Sequence, residues 1–282
     1  MNNIFSPRRF GLYIKQYAGE NWKKLLQMAA SIFGMFILLT TIIPFLKGSY
    51  SYPSDIDKMW EFETTIFWCL LFVMAAVTAA TMFFNMDSKS KRISLLTLPA
   101  SNLEKFLTVF LFSIIGFYIV FFASVIVADY ARVLTAPIYA VPGAEIAHMP
   151  MKYFFTFGNL DGGLQIPKHS VEQVAGLQMV AFSSLIILQA FYALAASIWP
   201  KNAKIRGTLA GICIIIGMNL MFYISMKICF PYDHFMPKKP HFENMDFNTF
   251  ITINYIVAIA ITIGTYLLTY KRFKESESIE RW

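Results

Sequence analysis

Long runs of apolar residues dominate the pattern of the chain. Six of them exceed the roughly 18 residues that a helix needs to cross the hydrocarbon core of a bilayer. These runs are Leu25–Leu46, Thr65–Asn85, Phe106–Ala128, Ala175–Trp199, Gly207–Ile228 and Phe250–Tyr270. The pattern therefore predicts an all-α polytopic membrane protein with six transmembrane helices. No connecting segment is long enough for a separate soluble domain, so residues 1–282 are predicted to form a single transmembrane domain.

The composition supports this interpretation. Of the 282 residues, 57% are hydrophobic and 15% are charged, whereas soluble domains have about 45–50% apolar and about 25% charged residues. The three cysteines give no disulfide framework, because Cys69 and Cys213 lie inside predicted spans and Cys229 lies at the end of one. We expect them to be small packing residues.

Lysine and arginine are distributed unevenly among the connecting segments. Sixteen of the 24 lie in segments 1–24, 86–105, 200–206 and 271–282, and seven lie in the other three loops. Because basic residues concentrate on the cytoplasmic side of membrane proteins, both termini are predicted to be cytoplasmic (N-in, C-in), as is the loop 86–105. The loop 129–174 is predicted to be extracytoplasmic. The net charge of +7 is then an orientation signal and not evidence of nucleic-acid binding.

Segment 1–24 has the pattern of an amphipathic helix, in which an aromatic face and a polar face recur at helical spacing. The aromatic face contains Phe10, Tyr13, Ile14, Tyr17 and Ala18, and the polar face contains Lys15, Gln16, Glu20 and Lys23. We expect this helix to lie in the cytoplasmic interface of the membrane. The alternative is that it extends the first span.

The loop 86–105 carries the most informative local sequence. Ser101 and Glu104 have the S-x-x-E spacing of a capping box, which predicts that the third helix begins there. Pro99 should end any helix that precedes it, because the residue before a proline is pushed out of the α region.

A basic and then leucine-rich piece, Lys89–Leu98, is predicted to form a short cytoplasmic helix before that proline. Its apolar residues, expected to be exposed, are Ile93, Leu95, Leu96 and Leu98. Apolar side chains on a water-facing loop need a partner surface. The alternative is that they dip into the headgroup region of the bilayer.

Motifs for catalysis are absent from the sequence. It contains no phosphate-binding loop, zinc pair, nucleophile elbow or dinucleotide fingerprint, and the acidic and histidine residues of the third and fifth loops have no recognised ligand spacing. The predicted spans also lack the Asp, Glu or His residues that proton-coupled carriers use. We therefore expect no enzyme activity, no metal, no cofactor and no transport that this chain energises alone.

Two sets of residues predict how the helices pack. Gly207 and Gly211, and Ala75 and Ala79, have the small-x-x-x-small spacing that lets membrane helices approach closely. Polar side chains inside or beside the spans are candidates for hydrogen bonds between helices or for a substrate path, and both roles remain open. They are Gln178, Gln189, Asn219 and Asn254.

The stretch Arg92–Phe106, with its core Leu-Thr-Leu-Pro-Ala-Ser-Asn-Leu-Glu-Lys-Phe, resembles the loop between the second and third spans of ABC-2-type transporter permeases. In that family a basic segment leads to L-P-x-S-x-x-E and then to the third helix. The amphipathic N-terminal helix and the six-span plan with cytoplasmic termini are also similar. One departure is that many members place their prominent outer helices between spans five and six, whereas here the larger outer loop joins spans three and four.

The resemblance implies a permease dimer, homo- or heteromeric, in the bacterial cytoplasmic (cell inner) membrane, driven by separate ATP-binding cassette ATPase subunits. In the family, a coupling helix in this loop sits in a groove on the ATPase, and the N-terminal helix contacts the same subunit. If this arrangement is carried over to the present sequence, Leu95 and Leu96 would be the apolar anchors, and Lys91 and Arg92 would be the flanking cations. The full set of coupling residues would be Lys91, Arg92, Leu95, Leu96, Leu98 and Pro99.

Three functions follow as hypotheses, in descending order. The first is a permease subunit of an ATP-driven exporter of an amphipathic or hydrophobic substrate, with an ATPase, a second permease subunit and membrane lipids as partners and no nucleic acid. The second is a membrane scaffold or assembly protein that transports nothing. The third is an intramembrane enzyme, which is disfavoured because no nucleophile, base or metal cluster converges.

Overall fold

The computed structural model describes residues 5–42, 56–86, 88, 90–91, 93, 98–138, 147–149, 171–200, 202–213, 216 and 247–278. Over these ranges the fold is all-helical and contains no strand. Five of the helices are long and apolar enough to cross a membrane. The fold is thus compatible with that of a multi-pass integral membrane protein.

Six helices make up the described bundle. They are α1 (Pro7–Ile37), α2 (Ile56–Ala80), α3 (Asn102–Thr135), α4 (Val171–Ile198), α5 (203–213) and α6 (Phe247–Ser278). A wider π-helical turn, Leu38–Ile42, follows α1, and another, Leu111–Gly116, lies in the middle of α3. Short 3₁₀ turns follow α2 and α3, at Phe84–Met86 and Ala136–Ile138.

The five candidate spans correspond to the first, second, third, fourth and sixth predicted spans. They are Pro7–Thr41, Phe62–Ala80, Asn102–Thr135, Ala181–Ile198 and Thr252–Glu275. Most of the predicted fifth span, Gly207–Ile228, lies outside the described residues, and its first turns belong to α5. Helix α3 continues past Ala128, the predicted end of the third span, to Thr135, so the start of the predicted third loop is helical.

The first helix also differs from the expectation of a separate interfacial helix. α1 runs without a break from Pro7 to Ile37, so the amphipathic segment is an extension of the first span. Its polar face is exposed as predicted, but its aromatic face packs on protein: Tyr13 is 6% exposed, and the Tyr17 ring lies 5.0 Å from that of Phe112 in α3. The tilted contact of the Tyr17 and Phe112 rings and the burial of Tyr13 hold this segment against the bundle.

Two clusters of buried apolar residues stabilise the bundle at its two ends. One joins α1, α2, α3 and α4 through residues such as Phe36, Phe67 and Phe121, with the last two rings 5.4 Å apart. The other joins the end of α2, the start of α3 and the end of α6, where Phe83 stacks on Phe273 at 5.6 Å. We call the end with this second cluster the basic end and the other the opposite end.

Chain direction alternates between these two ends. The second cluster contains residues from the segment after α2, the start of α3, the end of α4, the start of α5 and the end of α6, and Tyr17 of α1 packs against it. The described parts of the four lysine- and arginine-rich segments therefore lie at the basic end. That this end faces the cytoplasm stays a prediction from the uneven distribution of basic residues.

The cysteines depart from their expected packing role. Cys69 and Cys213 are free thiols with exposed side chains, because α2 and α5 turn these positions outward from the bundle. Cys229 lies outside the described residues.

Close packing of α5 on α4 involves the first of the two predicted glycines. A Cβ placed on Gly207 would lie 3.1 Å from the Cβ of Ala195, whereas one on Gly211 would lie 3.5 Å from the Phe191 ring. The Tyr192 hydroxyl also shares a 2.9 Å hydrogen bond with that of Thr208. Ala75 and Ala79 in α2 are fully buried, and Ala75 belongs to the cluster at the opposite end.

This packing predicts different outcomes for two matched substitutions. Alanine gains up to about 1 kcal/mol of helix propensity over glycine at either position, but overpacking costs about 1–3 kcal/mol. We expect Gly207→Ala to be less stable than Gly211→Ala by about 1–2 kcal/mol in thermal unfolding of the detergent-purified protein. Equal stability of the two variants would show that α5 does not pack on α4 at this contact.

Candidate functional site

The site is built around Glu104 at the start of α3. Ser101 is the N-cap residue of this helix, and its hydroxyl accepts a hydrogen bond from the Glu104 N–H at 3.3 Å. The Glu104 carboxylate in turn accepts from the Ser101 N–H at 2.8 Å. The structure therefore has both hydrogen bonds of the predicted capping box.

The same carboxylate also binds the start of α1. Arg9 donates through Nε to Oε2 and through a terminal nitrogen to Oε1, both at 2.8 Å. The N–H of Ser6, the N-cap residue of α1, donates to Oε1 at 2.8 Å. Glu104 thus caps its own helix, caps α1 and holds a bidentate arginine.

Burial makes this arrangement stronger than an ordinary surface ion pair. The Glu104 side chain has no solvent exposure, whereas that of Arg9 is 32% exposed. A buried carboxylate must have its lone pairs satisfied, and four donors surround this one. We call Ser6, Arg9, Ser101 and Glu104 the N-terminal clamp, because it fixes the starts of α1 and α3 to each other.

The segment between α2 and α3 lies directly before this clamp. Residues 90, 91 and 93 are helical, and residues 98–100 form a bend that contains the exposed Pro99. Ile93 is 53% exposed, as expected for an apolar residue of the predicted coupling helix. Leu98 differs from that expectation, because it is half-buried against the basic-end cluster. Arg92, Leu95 and Leu96 lie outside the described residues.

Two lysines approach the single ring of Phe84, which follows α2. The Lys91 Nζ lies 3.7 Å from the ring centroid and the Lys24 Nζ lies 5.0 Å from it. Such cation–π contacts contribute about 0.5–1 kcal/mol at exposed sites. They position Lys91, one of the predicted coupling residues, beside α1.

An open cleft of about 470 Å³ lies next to these lysines, between α1, α2 and α3. Lys24, Phe84 and Lys204 line its outer part, and Met28 and Phe117 are among the residues that line its inner part. A cleft of this size is in the range of small-molecule sites.

A charged cluster at the opposite end was not predicted from the sequence. Arg132, fully buried in α3, donates to Asp129 at 2.7 Å and lies 3.2 Å from Glu63 in α2. It also donates to the carbonyl oxygen of Ala147 at 2.9 Å. Asp129 in turn bonds to His148 at 3.0 Å.

Sequence reasoning missed this cluster because it assigned Arg132 to a water-exposed loop. The i, i+3 spacing of Asp129 and Arg132, continuous with the apolar periodicity of α3, was the signal that could have found it. Nothing in the sequence marked Glu63 as their partner. The cluster ties α2 to α3 at the opposite end, much as the clamp ties α1 to α3 at the basic end.

The polar residues predicted to connect helices have separate positions. Gln189 in α4 accepts a 2.9 Å hydrogen bond from the Tyr118 hydroxyl in α3, so it joins two helices. Asn254 is exposed on α6. The side chain of Gln178 and the whole of Asn219 lie outside the described residues.

Among the described residues, the site contains positioning and binding groups: a helix clamp, a basic surface and a cleft. No three His, Cys, Asp or Glu side chains in these ranges lie close enough together to hold a metal ion. A comparison of the chain with protein-family models, curated proteins and solved structures finds no match.

Proposed function

We propose that the chain is the membrane subunit of an ATP-driven ABC-2-type transporter, and that the basic end receives the ATPase subunit. The observation that carries the proposal is the segment between α2 and α3, which presents the exposed Ile93 and ends directly at the N-terminal clamp. We expect Leu95 and Leu96, which follow Ile93 in the sequence, to extend this apolar surface, and a contiguous exposed apolar patch marks an interaction site.

The clamp supplies a route from that segment into the bundle. Force on the segment acts through Pro99 and Ala100 on Ser101, the N-cap residue of α3. Glu104 then transmits a displacement to α1 through Arg9 and Ser6. Three charge-assisted hydrogen bonds, from Ser6 and Arg9 to Glu104, fix the starts of the two helices to each other, so we expect these helix starts to move together. A partner that moves the segment therefore moves α1 and α3 together.

In this proposal two copies of the chain, or this chain and a related one, line a path for an amphipathic or hydrophobic substrate in the bacterial cytoplasmic membrane. Both termini are cytoplasmic and export is the direction. The chain has no catalytic residue of its own, and ATP hydrolysis takes place in the partner.

The proposal is tested by exchanging the apolar residues of the segment for aspartate. Ile93→Asp and the double variant Leu95→Asp/Leu96→Asp are expected to reduce copurification of an ATPase about tenfold or more, because a charge in an apolar interface pocket costs more than 1.4 kcal/mol. The measurement is affinity purification of the tagged full-length chain from its native membrane, with mass spectrometry and ATPase assay of the eluate.

Leu103→Asp is the matched control. Leu103 is 38% exposed and lies in the first turn of α3, where a carboxylate is favoured by the helix dipole. It should leave the copurifying ATPase unchanged. Wild-type amounts of ATPase with the segment variants, or no ATPase with the wild-type chain, would contradict the proposal.

A scaffold that transports nothing remains the second candidate, because an exposed apolar segment also suits a static partner. The two are separated by the same purification. A partner with a phosphate-binding loop and ATPase activity supports the permease, and a partner without nucleotide hydrolysis supports the scaffold.

A further inference from the structure

We propose that the cleft at the basic end binds an anionic amphiphile, a molecule with a phosphate-bearing headgroup and an apolar tail. This inference does not depend on whether the chain transports anything. It rests on the charge at the rim of the cleft, the apolar character of its inner wall and the placement of its lysines.

The rim of the cleft is positively charged. Lys24 of α1 and Lys204 of α5 line it, and Lys91 reaches Phe84, another lining residue. The side chains of Lys24 and Lys204 are exposed, so a ligand can reach both. Ammonium groups brought together from three parts of the chain create a local excess of charge that favours an anion.

No acidic residue among the described ones lines the cleft to neutralise these cations. Glu20 is a carboxylate whose charge acts on Lys24. It lies on the exposed polar face of α1, where it accepts a 2.9 Å hydrogen bond from Gln16. The charge of the rim is therefore not cancelled within the cleft.

The orientation of Lys24 is fixed in part by its neighbour. Its Nζ donates to the Asn21 side-chain oxygen at 2.8 Å, and the Asn21 amide donates to the Tyr17 carbonyl oxygen at 3.0 Å. Asn21 is only 7% exposed. A buried amide thus holds the ammonium group near Phe84, and a positioned cation loses less side-chain entropy when it binds an anion.

Behind the rim the wall changes from cationic to apolar. Met28, Met74 and Phe117 line it together with the polar residues Gln27, Ser31, Thr78, Thr81 and Ser113. The Ser31 and Thr81 hydroxyls donate to carbonyl oxygens of α1 and α2, respectively. The Thr78 hydroxyl already donates to backbone carbonyl oxygens of α2, so it offers the cleft little polarity. Flexible methionines and aromatic rings accept alkyl chains of varied shape.

A charged rim over an apolar wall matches a molecule with the same division. A free phosphate would leave the apolar wall unused, and a neutral lipid would leave the lysines unused. An anionic phosphoglyceride, with its phosphate between Lys24 and Lys204 and one chain along the wall, engages both parts. Leu25, where the first predicted span begins, also lines the cleft, and lipid headgroups are expected at the start of a span.

The experiment titrates the purified full-length protein in neutral detergent with three probes and measures binding by native mass spectrometry. The probes are dioleoylphosphatidylglycerol, dioleoylphosphatidylcholine and glycerol 3-phosphate. We expect the anionic lipid to bind at least tenfold more tightly than either of the others. If the zwitterionic lipid or glycerol 3-phosphate binds as tightly as the anionic lipid, the proposal is overturned. This test uses only the unaltered protein and does not depend on whether any variant folds.

Two charge-matched variants separate the cleft from the general surface. Lys24→Gln/Lys204→Gln removes two cations from the rim and should weaken binding of the anionic lipid about ten- to thirty-fold. Lys15→Gln/Lys23→Gln removes two cations from the exposed polar face of α1 and should weaken it less than twofold. An equal loss in both variants would show attraction to the basic surface in general and would overturn the cleft as the site.

Discussion

Replacing Arg132 with alanine is expected to lower the free energy of unfolding by about 3–5 kcal/mol. The guanidinium group is fully buried and stands between the carboxylates of Glu63 and Asp129. Without it, the buried carboxyl groups of Glu63 and Asp129 lose the cation that stabilises their charged forms, and the carbonyl oxygen of Ala147 loses its donor. The change is measured by denaturation of the purified protein in detergent micelles.

Arg272→Ala provides the matched control for this prediction. Arg272 pairs with Glu275 at 3.6 Å on α6, and both side chains are about half exposed. Exposed pairs of this kind contribute about 0–1 kcal/mol, so the control should be close to the wild type. A loss of less than 1 kcal/mol in Arg132→Ala would contradict the description of this cluster as a buried ion network.

A compensated variant isolates the reason for the effect. In Glu63→Gln/Asp129→Asn/Arg132→Met, all three buried charges are removed together, so no charge is left without a partner. Uncharged replacements of buried ion pairs are often neutral or stabilising. We therefore expect the triple variant to be more stable than Arg132→Ala by at least about 2 kcal/mol, and a triple variant that is no more stable would show that shape and not charge governs the site.

The substitution Glu104→Gln is expected to destabilise the protein by about 2–4 kcal/mol. Glutamine keeps the size of the side chain but brings an NH₂ group into a site where all four neighbours are donors. At least one cap N–H and one Arg9 nitrogen therefore lose their acceptor. Chemical denaturation in micelles measures the loss.

Glu275→Gln is the control for this substitution, because it makes the same chemical change in the exposed pair with Arg272. A double-mutant cycle with Arg9→Gln adds a second test. If Arg9 and Glu104 form a coupled unit, the double variant should be more stable than the sum of the single losses implies, by about 1–2 kcal/mol. Strict additivity would contradict the clamp.

How much of the structure can be predicted from the sequence depends on how far apart along the chain the interacting residues lie. The capping box of Ser101 and Glu104 is visible because its members lie three residues apart, and helical spacing also identifies which side of α1 is buried. The sequence does not show which part of the protein that side of α1 packs against. Tyr17 meets Phe112 across nearly a hundred residues, and an aromatic face suits a lipid surface as well as another helix.

The ends of helices were less predictable than their centres. Hydropathy falls after Ala128, so the charged stretch that follows is predicted to be a loop. Helix α3 nevertheless continues to Thr135, because Glu63 and Asp129 pair with Arg132 inside the bundle. Similarly, α6 extends as a helix to Ser278, through much of the segment predicted as a cytoplasmic tail. Paired charges can remain helical and buried where single charges would end a span.

The N-terminal clamp also has a consequence for the order in which the protein is made. A chain emerges from the ribosome with its N-terminus first, yet the carboxylate that holds Arg9 lies 95 residues further along. The Ser6 N–H donates to the same carboxylate, which lies 98 residues further along the chain. Helix α1 therefore receives this anchor only after the start of α3 has been synthesised, so Arg9 has no Glu104 to bind while the next 95 residues are made.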